Sequence, residues 1–229
     1  KRQVVRSNRI WAISLWGLFM KKILVSSSNS EILALVRDAC LAYAEDLDPI
    51  FCPDTDEALS FIDYELPEIK VLDFSSDDID CNRILAAIHS DPWLHNGGII
   101  AIAKDPGEAE KIEERKDPNI LIVQTVYNFK QNFSRLLKVL WTNQHFLFNR
   151  GLQNRIGSDE HGEFVADNDP MDIRLYTSFL VNYLYCCNRI SDDSRYSLQT
   201  TLMELITNAL EHGNCGITYE EKTAFLSKG

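Results

Sequence analysis

The sequence is short of positive charge: Lys and Arg number 23 against 34 Asp and Glu, for a formal charge of -11. Such a chain has no broad basic surface for holding phosphate backbones, which excludes nucleic acid as a direct partner. It also lacks a long apolar run. The best candidate lies in "KRQVVRSNRIWAISLWGLF" at residues 1–19; it is only about ten residues, against the roughly 20 a membrane helix needs, and no small-residue cleavage pattern follows. No internal repeat and no low-complexity tract appears. The six cysteines (Cys40, Cys52, Cys81, Cys186, Cys187 and Cys215) show no paired C-x-x-C spacing. Several sit among apolar neighbours, as small core residues do, and they read as reduced thiols of a cytoplasmic protein.

What the chain does have is a balance of 45% hydrophobic and 25% charged residues over 229 positions. That is enough to bury a core and suggests two domains. The text "MKKILV" resembles a protein's own beginning, so the fold is expected to start at Met20, with residues 1–19 an extension outside it. From there short apolar runs alternate with amphipathic stretches, the pattern of βαβ units around a parallel sheet. Strands are predicted in "KILV", "PIFC", "IKVLDF", "GGIIAIA" and "NILIVQ", each followed by a helix, with Ser30 a candidate cap for the first. The fifth helix carries Phe133, Leu136, Leu137 and Leu140 on one face. The fold class is therefore α/β: a doubly wound, five-stranded parallel sheet over 20–149, with its functional crevice at the carboxyl ends of the strands.

Residues 150–170 are rich in Gly, Asn and Asp and read as a linker. Two helical patterns follow in 171–229. The second, capped by Ser191, Asp192 or Asp193 and ended by Gly213, contains "LMELITNALEHGNCG". Here Glu204, Asn208 and His212 stand at four-residue spacing and share one helix face. They flank an apolar stripe of Leu202, Leu205, Ile206, Ala209 and Leu210, which is expected to face a core. Periodicity leaves two readings of the polar row open: a hydrated flank, or the wall of a site.

In order of elements and local text, 20–149 resembles the receiver domain of two-component response regulators, a flavodoxin-like fold. The resemblance implies a Mg²⁺-binding acidic pair after the first strand, a phosphoacceptor Asp after the third, and a Thr or Ser and a Lys after the fourth and fifth. Only Asp73, at the end of "KVLD", keeps its place. The acidic pair falls on Ser27 and Ser28, the Thr on Ala103, the Lys on Gln124, and Thr125 replaces the usual proline. Hydroxyls substitute poorly for carboxylates toward Mg²⁺. A degenerate receiver used for docking or dimerisation is expected, with Asp73 as the residual phosphoacceptor candidate. Asp77, Asp78 and Asp80 could offer metal ligands from another direction, but read more simply as a solvated loop and helix start. His89 and His95 read as surface residues.

The stretch "LQTTLMELITNALEHGN" resembles the N-box of the ATP-binding domain shared by histidine kinases, Hsp90-type proteins and anti-sigma-factor serine kinases, closest to the last. The resemblance implies a Bergerat-type α/β ATPase of which 171–229 is the helical front part. In it Asn208 would ligate the Mg²⁺ of ATP, Glu204 would act as the catalytic base, and His212 would contact phosphate or shape the lid. Glu211 departs from the basic residue often found there. A D-x-G-x-G adenine loop is absent from the 229 residues, so this stretch alone is expected to bind nucleotide weakly. Together the resemblances imply a signalling protein in which a degenerate receiver regulates a protein-serine kinase. Its partner would be an anti-sigma antagonist or sigma factor, and a homodimer is possible. The alternative is a non-catalytic, receiver-based protein interaction or sequestration module.

Overall fold

The computed structural model describes residues 21–91, 94, 97–143 and 165–227. The N-terminal extension, most of the expected linker and His95 lie outside the described residues.

Five strands, β1 (Lys21–Ser26), β2 (Leu47–Phe51), β3 (Ile69–Asp73), β4 (Gly98–Ala103) and β5 (Ile120–Thr125), form one sheet. Their order is β2-β1-β3-β4-β5 and every pairing is parallel. This is the doubly wound, flavodoxin-like order. The near-continuous apolar text of β3 and β4 follows from burial on both faces. Pro49 is tolerated because β2 is an edge strand, where its missing N–H need not complete an inner ladder.

Five helices alternate with these strands: α1 (Ser30–Cys40), α2 (Thr55–Glu65), α3 (Cys81–Ser90), α4 (Pro106–Glu113) and α5 (Val126–Thr142). On one face Ile23, Val71 and Ile102 meet Val36 of α1 and Phe133 and Leu137 of α5. On the other, Leu24, Leu72 and Ala101 meet Ile62 of α2, Ile84 of α3 and Ile112 of α4. The α1 cap is Asn29 rather than the expected Ser30. Its Oδ1 accepts from the amides of Glu31 and Ile32 at 3.0 and 3.4 Å, so Ser30 opens the first turn. Gly97, at φ +73°, is required: a Cβ there would stand 2.0 Å from the Glu68 carbonyl oxygen.

Beyond the sheet lie α6 (Pro170–Cys186), α7 (Asp192–Asn208) and α8 (Tyr219–Leu226). Leu175, Tyr176 and Phe179 of α6 join the core built on α1 and α5. Asn182 donates to the carbonyls of Ile120 and Leu121 at 2.9 and 3.0 Å, covering part of the exposed edge of β5. Asp172, fully buried, accepts from Arg135 of α5 at 2.7 Å. Ser191 caps α7, accepting from the Ser194 amide.

The stripe on α7 departs from expectation. Of its five residues only Leu210 is buried, and Leu205 is 59% exposed, because the described elements lie along a different side of the helix. Gly213 does not end the helix in the left-handed conformation either. The chain passes instead into a π-helical turn, Ala209–Asn214, and Gly216 takes the positive φ of 65°.

Candidate functional site

Asp73 closes β3 at the carboxyl rim of the sheet and is fully buried. Its Oδ2 accepts the hydroxyl of Ser27 at 2.6 Å. Its Oδ1 accepts both the hydroxyl and the amide of Ser75, at 2.5 and 3.0 Å. Ser28 is turned away to Ser76, 2.7 Å distant. Both carboxylate oxygens are thus engaged by neutral donors. The residues around Asp73 do not fit a divalent ion, which needs further anionic oxygens, and no cluster of three His, Cys, Asp or Glu able to hold a metal occurs among the described residues.

The neighbouring positions agree. Ala103 is buried and offers no hydroxyl. Thr125 caps α5, accepting from the Asn128 amide. Asp80 caps α3, accepting from the Arg83 amide at 2.9 Å, while Asp77 and Asp78 are exposed. The acidic cluster is a loop and a cap. Burial, helped by the charges of Asp73 and Asp80, pushes the Cys81 thiol up to about 12. Cys40 and Cys52 are likewise pushed up to about 11, burial being the main cause. These are packing thiols, as the sequence implied, and all six cysteines are free.

On α7, Glu204 and Asn208 line one open groove of about 480 Å³ together with Thr200, Met203, Thr207 and Lys222. His212 is not part of it. The π turn carries i→i+5 bonding, seen in the 2.8 Å bond from the Cys215 amide to the Leu210 carbonyl, and this widening rotates His212 off the row. Its Nδ1 lies 2.5 Å from the Ile217 carbonyl, fixing the loop before α8. Lys222 pairs with Glu211, so the residue that departs from the N-box pattern anchors a cation beside the groove. One carboxylate and one amide suit a Mg²⁺ held mainly by phosphate oxygens and water.

Where α4 meets α7, a clasp appears that helical periodicity did not expose. Arg195 bridges to Glu113 at 2.8 Å, and the Glu113 carboxyl is held above its ordinary range by burial, partly offset by that arginine. The buried Tyr185 ring is flanked by Lys116 at 4.5 Å and Arg195 at 4.8 Å. Its hydroxyl is pushed up to about 12, first by hydrogen bonding to Asp192 and then by burial. No helix among the described residues is long and apolar enough to cross a membrane.

Neither the known protein families nor the curated proteins contain a match to this chain. Among solved structures it is similar to the phosphorylated cyanobacterial phytochrome response regulator RcpA, at 20% identity and a TM-score of 0.47, over 55% of this chain and 96% of that one. It is also similar to a response regulator in red light signaling of R. palustris, at 15% identity and a TM-score of 0.44, over 57% of this chain and 95% of that one. The sheet order and flanking helices described above are those of the flavodoxin-like class to which the receiver resemblance pointed.

Proposed function

We propose that this chain belongs to a cytoplasmic signalling protein whose receiver-like unit acts by contact, without aspartyl phosphorylation. The observation that carries this reading is the engagement of both Asp73 oxygens by Ser27 and Ser75. A carboxylate attacking a phosphoryl group needs cations to offset charge repulsion in the transition state. Here the acidic pair and the lysine are replaced by Ser27, Ser28 and Gln124.

The unit would regulate an ATPase of the anti-sigma-kinase type, phosphorylating a serine of an anti-sigma antagonist or a related protein. The support is the sequence resemblance, together with the shared groove of Glu204 and Asn208. Asn208 would ligate Mg²⁺, Glu204 would orient or deprotonate the attacking hydroxyl, and bound ATP would supply the phosphoryl group. A purine-binding D-x-G-x-G loop would have to come from outside the 229 residues. A second reading, a non-catalytic docking or dimerising module, is favoured by the exposure of Leu205, Tyr219 and Phe225 on α7 and α8.

Two experiments separate these. Acetyl phosphate with Mg²⁺ should leave Asp73 unlabelled, and stoichiometric aspartyl phosphate would overturn the phosphate-independent reading. The coding sequence past Gly229 should contain D-x-G-x-G, and Mg-ATP should bind the protein it encodes and lose affinity in Asn208→Ala. Unaltered binding in that variant would remove the assigned role and leave the docking module.

A further inference from the structure

A second concavity, of about 460 Å³, lies between the open side of β5 and α5 and the pair α6 and α7. Its volume falls in the range of small-molecule sites. At roughly 30 Å³ per water it would hold about 15 waters, or a ligand of similar heavy-atom count. The wall is mixed: beside apolar residues such as Ile122, Leu175 and Met203, Gln124, Asn128 and Asn132 come from the sheet unit, and Ser178 and Gln199 from the helix pair. These polar groups can both donate and accept.

The charges are unusual for this chain. Arg174 and Arg195 line the cavity against one carboxylate, Glu113, so the lining is cationic in a protein of formal charge -11. Arg195 is taken up by Glu113 at 2.8 Å. Arg174 differs from Arg195, the other arginine of this lining. Arg135 is paired with Asp169 and Asp172, and Arg83 with Asp56, whereas the Arg174 guanidinium has no carboxylate partner among the described residues. Arg174, itself exposed, thus brings an unpaired fork of N–H donors to the lining of a cleft that also carries amides. That arrangement matches a carboxylate or phosphate with polar substituents.

We propose that this cleft binds a small anionic metabolite, of about 15 non-hydrogen atoms, whose acidic group is held by Arg174 and whose polar body is read by Asn128, Asn132 and Gln199. Because its walls come from both units, the ligand would bridge them. Met203 and Thr207 line this cleft and also the groove of Glu204 and Asn208, so occupancy would be felt on α7. Gln124, standing where a receiver's lysine would be, gains a role as part of the wall. The proposal goes beyond the Mg-ATP reading and survives if that reading fails, since it uses neither Glu204 nor Asn208.

Isothermal titration of the whole 229-residue chain with citrate and with ribose 5-phosphate tests it, glucose serving as the uncharged control. Saturable binding of either anion but not glucose is expected. Arg174→Gln should weaken it by about tenfold or more, and Arg83→Gln, the same charge change at the Asp56 pair, should not. Citrate alone assigns a carboxylate ligand, ribose 5-phosphate alone a phosphate, and both together a site that reads charge. Arg174 is exposed and makes no side-chain bond within the described residues, so its variant should fold, and thermal melts of both variants check that. Binding of neither anion, or equal binding by wild type and Arg174→Gln, overturns the proposal.

Discussion

The hydroxyl of Ser27, just past the end of β1, donates over 2.6 Å to Oδ2 of Asp73, the last residue of neighbouring β3, joining two residues 46 positions apart. Ser27 Oγ also accepts from the Asn29 amide at 3.0 Å, so one buried hydroxyl serves a carboxylate and the start of α1 together. Ser27→Ala would orphan an acceptor and a donor in a buried place, and should cost about 1–3 kcal/mol. Ser75→Ala should cost less, because the Ser75 amide still donates to Asp73 at 3.0 Å. Urea melts of the two variants check the order; equal losses would mean that the Ser27 bond contributes nothing special.

Asn182 is the next test, since it turns an edge strand into a covered one. Its amide supplies donors to two β5 carbonyls that have no further strand to pair with. Asn182→Ala should destabilise by about 1–3 kcal/mol. It should also speed hydrogen exchange in β5 relative to β1, and raise self-association as the edge opens. Exchange in β5 that matches wild type would show that α6 packs there without needing the bond.

Asp172 ties α6 to α5 through Arg135 at 2.7 Å and, more loosely, Lys138 at 3.5 Å. The carboxylate is buried while Arg135 is a third exposed, so the arginine can return to water when its partner is lost. Asp172→Ala should therefore cost about 1–3 kcal/mol, below the loss for a fully buried pair. A double-mutant cycle with Arg135→Ala should recover a coupling of roughly 1 kcal/mol. Additive losses would assign the effect of Asp172 to packing alone.

The sheet was readable because its strands are short apolar runs between amphipathic stretches, and covering both faces leaves little choice of residue. Asp73 was readable for the same reason: it ends a buried strand, and a strand's carboxyl end fixes where its last residue points. Ser27 as the partner of Asp73 was not. That bond depends on two strands meeting in register, and one chain segment carries no trace of it. Periodicity misjudged α7, because an i, i+4 pattern says which residues share a face and not whether another element covers it. His212 lies off the row for a local reason, since a π turn breaks four-residue spacing and no propensity in "ALEHGN" announces one. Arg174 carried no signal at all: a lone arginine on a helix is ordinary until the structure shows what surrounds it.

Lys70 is a cation at the second position of β3, 2% exposed, whose ammonium donates to the Pro67 carbonyl at 3.0 Å. Burial lowers its pKa to about 8, against the opposing pull of Glu68. In the unfolded chain the same group loses its proton near 10.5. Between those values the unfolded state holds more protons, so this residue makes stability rise with pH across that window. Below it the burden is fully present and on the order of 3 kcal/mol. The buried thiols oppose this above their ordinary value of 9.0, because only the unfolded chain ionises them there. The lysine is therefore read most cleanly from pH 8 to 9, as the difference between wild type and Lys70→Met. That variant should be more stable at pH 7 by about 1–3 kcal/mol, after allowing for the lost bond to Pro67. The gap should narrow as pH rises. A gap that stays constant from pH 7 to 9 would mean that Lys70 keeps its proton throughout, held by its surroundings more strongly than burial disfavours it.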